Sequence, residues 1–149
     1  MKFRSYIAML GIALMAFACS RAEEAASDHF EVIIIKSHAG FTQFNVRANQ
    51  DSLIITAESG EKRTLVSREL TSLEKGELSA FLGKLNLKNF KPKYKGTEGG
   101  GSDSMTFDIT IEKEHSTIHT SNFYVKELGV LVKLINGWLP EDAIIYKEG

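Results

Sequence analysis

Four histidines, a set of neighbouring carboxylates and one lysine-rich stretch are the residues of this chain whose types and spacing could do chemistry. His115 and His119 stand four apart, a spacing that on a helix would aim two imidazoles at one metal ion. They fall instead where a turn runs into a strand, and there residues i and i+4 lie about 13 Å apart on one face. The spacing therefore predicts solvated histidines and no metal site. Glu98, Asp103 and Asp108 place three carboxylates close together in sequence. A catalytic pair needs a fixed separation across a cleft, and carboxylates on the wet face of a strand are ordinarily just solvated. An unfamiliar hydrolase using Asp103, Asp108 or His119 is the enzymatic reading. Gly-x-Ser-x-Gly, His-Glu-x-x-His, P-loop and paired Cys-x-x-Cys patterns do not occur, so no cofactor is expected and the non-enzymatic reading leads.

A second constellation is Lys88, Lys91, Lys93 and Lys95, interleaved with Phe90 and Tyr94. Cations and aromatics together can hold an anionic polymer, a glycan or lipid headgroups through Coulomb attraction and stacking. The competing reading is a solvated connection whose Phe90 and Tyr94 plug the core beneath it. The run Gly99-Gly100-Gly101-Ser102-Asp103 follows. It has the look of one turn of a calcium-binding repeat, but such repeats bind by stacking, so a single copy reads as a flexible loop. Loops on a rigid scaffold commonly carry binding, which makes Lys91, Lys93, Tyr94, Lys95, Glu98 and Asp103 the candidate contact residues.

The elements that must position these groups follow from apolar periodicity. Met105, Phe107, Ile109 and Ile111 alternate strictly with Thr106, Asp108, Thr110 and Glu112, which predicts a central strand with one face in a core. Phe30 to Ile35 is a β-branched run that reads as a strand covered on both faces. Strands through Phe44, Leu53 and Arg63–Ser67 complete a four-strand meander, and Ser116–Thr120 follows the central strand. Thr71-Ser72-Leu73-Glu74 matches a capping box, followed by a helical stripe of Leu78, Phe81, Leu82 and Leu85. Ser121-Asn122 is positioned to cap a last helix with the stripe Leu128, Leu131, Val132, Ile135, Trp138 and Leu139, stopped by Pro140. Ala143 to Tyr146 reads as an edge strand or a packed tail. The order strands, helix, strands, helix predicts an α+β domain: an antiparallel sheet of about six strands with two amphipathic helices on one face.

The N-terminal part has a different character. Lys2 and Arg4 precede a twelve-residue apolar run, Tyr6 to Phe17, which ends in Ala16-Phe17-Ala18-Cys19-Ser20. A basic start, a short apolar segment and small residues at a cleavage point are the parts of an export signal. The run is too short for a membrane-spanning helix, which needs about 20 residues. Cys19 is the sole cysteine, so no intramolecular disulfide can form. Placed directly after Ala18, Cys19 resembles the modified residue of the bacterial lipoprotein lipobox. That resemblance covers the first twenty residues and implies cleavage before Cys19, acylation of its thiol and attachment to a membrane. Ser20 lacks the acidic character of a retention signal, which under the same resemblance leans toward an outer membrane. Ala16 and Ala18 equally fit ordinary secretory cleavage, which would give a soluble periplasmic or secreted protein.

The expected organisation is a signal peptide over 1–18, a polar tether over 19–28 reaching at most about 30 Å, and one α+β domain over 29–149. With 43% hydrophobic and 25% charged residues, the chain has the composition of a single globular domain. Its net charge is −1, and beyond residue 18 it carries 16 basic against 19 acidic side chains. That balance argues against a nucleic-acid partner. The expected function is a lipid-anchored protein of the bacterial cell envelope that binds a protein or envelope polymer. A periplasmic inhibitor or immunity protein directed at a hydrolase or toxin is the alternative within the binding class.

Overall fold

In a computed structural model, the structure describes residues 29–38, 42–97 and 103–145, without the side chains of 38, 42 and 142. The expected signal peptide, tether, Cys19, Glu98, the glycine run Gly99–Gly101 and Tyr146 lie outside the described residues.

Four strands form a meander: β1 (Phe30–His38), β2 (Thr42–Asn49), β3 (Ser52–Ser59) and β4 (Glu61–Glu69). Helix α1 (Ser72–Gly83) follows, then β5 (Lys93–Lys95), β6 (Asp103–Ile111), β7 (Glu114–Ser121) and helix α2 (Lys126–Asn136). The strands join in one sheet of order β4-β3-β2-β1-β6-β7-β5, antiparallel except where β5 lies parallel to β7. The class is α+β, with strands, helix, strands, helix in chain order.

Among the described residues the sheet has seven strands where the periodicity predicts about six, and the difference is β5. Only Tyr94 of its three residues is apolar, too few for alternation to register. Backbone bonds from His119 N to Pro92 O (2.9 Å) and from Gly96 N to Ser121 O (2.8 Å) secure it to β7. Gly96 is required there, because a Cβ would meet the Asn122 carbonyl oxygen at 1.8 Å.

Register explains the single core. Val32 and Ile34 of β1 face Ala48 and Val46 of β2 on one side and Ile109 and Phe107 of β6 on the other, all buried. Leu78 and Leu82 of α1, with Leu128, Leu131 and Ile135 of α2, close over this face in the same cluster. β1 is therefore covered on one face, not both: Ile33 and Ile35 are only half-buried, beside Arg47 and Asn45 of β2 on the uncovered face. Strands in antiparallel sheets can leave one face wet, and the β-branched run conceals this.

The two helix starts differ. At α1 the Thr71 hydroxyl accepts from Glu74 N (3.2 Å) while Glu74 Oε2 accepts from Thr71 N (2.8 Å), the expected capping box. α2 begins after Val125, with no side-chain cap bond. Ser121 instead ends β7, and Asn122, at φ 48°, turns the chain while its N–H donates to Asp103 O (3.0 Å). Asparagine tolerates this left-handed conformation better than most residues. α2 also ends earlier than its stripe, so Trp138 and Leu139 pack against the core from beyond the helix. The tail packs rather than pairs: Ala143 and Ile145 are buried, and Ile145 N donates to Asn136 Oδ1 (2.9 Å).

Candidate functional site

At the end of the sheet where β6 begins and β7 ends, the core face is incompletely filled. A cleft of about 330 Å³ opens between α2 and strands β1, β6 and β7. Its floor is Met105 and Phe107 of β6, and its wall is Leu128 and Val132 of α2. Phe123 and Tyr124, on the short link between β7 and α2, border it and are 47% and 61% exposed. Large aromatics left this open, beside a mostly apolar recess, are typical of contact surfaces in small-molecule sites.

Three charged side chains line the same cleft: Lys36, Asp103 and Lys133. Alternation places them. Lys36 continues the inward series Phe30, Val32, Ile34, and Asp103 begins the inward series Met105, Phe107, Ile109. Lys133 comes from the third turn of α2. Each of the three already takes part in a polar or electrostatic contact. Tyr124 is seated directly on α2, since a Cβ at Gly129 would fall 2.3 Å from its ring. Glycine at 129 thus lets an aromatic ring lie against helix backbone.

The sequence-predicted contact residues divide around this cleft. Asp103 lines it. Tyr94 turns to the core side, stacks on Phe123 with ring centroids 5.5 Å apart, and accepts a hydrogen bond from Lys91 N at 3.0 Å. Lys91, Lys93 and Lys95 remain exposed along β5 and the segment before it. Phe90 also packs against the core, and Lys88 pairs with Glu114 at 2.7 Å, an interaction that raises the lysine pKa through the hydrogen bond first and Coulomb attraction second. Along β5, Lys93 and Lys95 are thus exposed while Tyr94 between them is half-buried.

The candidate hydrolase residues are not brought together either. Asp103 occupies the covered face, whereas Asp108 and His119 lie on the opposite, uncovered face. There His115 Nδ1 meets Asp108 Oδ1 (3.3 Å) and Thr110 Oγ1 (3.1 Å), its Nε2 meets Thr117 Oγ1 (3.3 Å), and His119 Nδ1 meets Thr106 Oγ1 (3.0 Å). The order carboxylate, imidazole, hydroxyl has the logic of a nucleophile triad, but these groups stand on an open sheet surface and the cleft does not border them. Among the described residues, no group of three His, Cys, Asp or Glu side chains could hold a metal ion.

Lys36, Phe123, Tyr124 and Lys133 are cleft residues that the sequence reading does not single out. Lys36 did carry a signal, a lone cation in register with buried positions, and Phe123-Tyr124 is an aromatic pair between a strand and a helix. Lys133 carried none. No protein-family model, curated protein or solved structure matches this chain.

Far from the cleft lies a second charged cluster. Arg68 of β4 donates to Glu74 through Nη1 (2.8 Å to Oε2) and Nη2 (2.6 Å to Oε1), and also to Trp138 O (3.3 Å) and Glu69 O (3.0 Å). The Arg68 hydrogen bond, opposed by burial and assisted by Thr71, lowers the Glu74 pKa to about 2. Both terminal nitrogens of this fork are engaged with partners in the fold, so the cluster fixes α1 and β4 to the segment that follows α2.

Proposed function

We propose that this protein is a non-enzymatic binding module of the bacterial cell envelope, tethered through acylated Cys19, whose binding site is the cleft beneath α2. The observation that carries the binding half is that cleft, an apolar recess with exposed Phe123 and Tyr124 at its edge. The tether half is supported by the basic and apolar leader ending at Ala18-Cys19. No helix among the described residues is long and apolar enough to cross a membrane. A lipid-held domain meets its partner at the membrane surface, where even a modest cleft gains from high effective concentration.

The test uses cells expressing the chain with its own leader, beside Cys19→Ala, with a photo-crosslinking amino acid at Phe123 or, for comparison, at Thr117 on the uncovered face. Membrane association, a mass gain on Cys19 and a discrete adduct from position 123 but not 117 are the expected results. A soluble, unacylated protein overturns the tether. Equal labelling from both positions overturns the cleft as the binding site.

A further inference from the structure

The chemistry around the cleft narrows what it takes. Its apolar part, Met105, Phe107, Leu128 and Val132, offers burial without hydrogen-bonding capacity, so an occupant must present hydrocarbon there. Its polar part sums to two lysines and one carboxylate, Lys36 and Lys133 with Asp103, a net of one positive charge. Size sets a further limit: about 330 Å³ lies at the small end of ligand clefts, enough for one short chain and too little for a diacyl lipid.

We propose that the cleft binds a small single-chain carboxylate, a monoanionic amphiphile such as a medium-length acyl acid, with its hydrocarbon over Met105 and Phe107 and its carboxylate between Lys36 and Lys133. This rests on the reading of the cleft as a binding site and adds the ligand class. Charge complementarity is the deciding argument: one net positive charge beside an apolar recess favours a monoanion over a cation or a neutral alcohol of the same length. Because all three charged side chains already take part in polar or electrostatic contacts, the carboxylate must share or replace some of them. Asp103 is then a specificity element, since its negative charge repels dianions that two lysines alone would accept.

The experiment is a titration of the purified chain carrying Cys19→Ala, which keeps an attached lipid from competing for the cleft. The probes are hexanoate, octanoate and decanoate, with octanol and octyltrimethylammonium as head-group controls, followed by calorimetry and by the Tyr124 and Met105 resonances. Affinity should rise about fourfold per methylene from hexanoate, as burial of each CH₂ predicts, and level off once the cleft is full. Octanoate should bind on the order of tenfold more tightly than either control, from its charge-assisted contacts. Lys36→Gln with Lys133→Gln should erase that preference while leaving octanol binding intact, and Asp103→Asn should strengthen octanoate severalfold, so the proposal can be tested even if the double variant folds poorly. Octyltrimethylammonium binding as tightly as octanoate overturns the ligand class while keeping the cleft as a site. No saturable binding of any probe overturns it as well, and leaves the anchored module to be judged by the cross-linking result.

Discussion

Helices α1 and α2 cover the same core face, yet their N-terminal ends have been built to opposite specifications. α1 starts in a closed polar network, with Thr71, Glu74 and Arg68 satisfying one another and Arg68 reaching on to Trp138 beyond the end of α2. α2 starts without a side-chain cap, next to exposed aromatics and an unfilled cleft. Polar satisfaction and tight packing supply stability, and a site that must admit a ligand forgoes some of both. Under the proposed function, the α1 end supplies stability and the α2 end supplies binding.

The strongest way to break that assignment is at Arg68. Arg68→Ala leaves the nearly buried Glu74 carboxylate without its main partner and should lower stability by about 2–3 kcal/mol, below the usual range for a fully buried pair because Arg68 is partly exposed. Urea unfolding measures it. pH gives a matching signature. The Glu74 pKa is depressed from 4.5 to about 2 in the folded state, so its contribution is complete above pH 4.5 and is lost as pH falls toward 2. The parent protein should therefore lose stability across that window more steeply than Arg68→Ala, and parallel curves would remove the pair as the cause.

Gly96→Ala tests the frame beneath the cleft. Its Cβ would collide with the backbone carbonyl of Asn122, which cannot swing aside like a side chain, so β5 must shift and a loss of about 2 kcal/mol is expected. The disturbance should reach the Tyr94–Phe123 stack and appear in their NMR shifts. Thr71→Ala removes half of the capping box and should destabilise by about 1 kcal/mol in thermal unfolding without altering octanoate affinity. The smallest effect is at Gly129→Ala. Alanine favours helix by up to about 1 kcal/mol, while its methyl meets only the outer ring atoms of the Tyr124 side chain, which can turn aside, so stability should change by less than about 0.5 kcal/mol. The Tyr124 ring signal and octanoate affinity should nevertheless both move.

How much of this could be read from residues alone depended on whether the cause was local. The capping box at Thr71 and Glu74 and the alternation of β6 are local codes, and both appear as expected. The start of α2 was misread because Ser121 and Asn122 are good capping types whose use was decided by tertiary pairing: β7 runs to Ser121, and Asn122 closes onto Asp103. β5 escaped because three residues with one aromatic carry no period, and its partner β7 lies more than twenty residues away. Of the expected contact residues, Asp103 lines the cleft and Tyr94 reaches it through Phe123, because both occupy inward-facing positions. Lys91, Lys93 and Lys95 stay outside. The cleft itself joins β1, β6, the β7–α2 link and α2, a convergence that no single window of sequence contains.

The division of labour between the helix starts can be read most directly by amide hydrogen exchange, comparing 72–76 with 126–130 in the Cys19→Ala chain before and after saturation with octanoate. Slow exchange in the first turn of α1 whether or not ligand is present, with faster exchange in the first turn of α2 that slows on binding, is the predicted result. Equal protection of the two turns, or octanoate slowing α1 as much as α2, would contradict it.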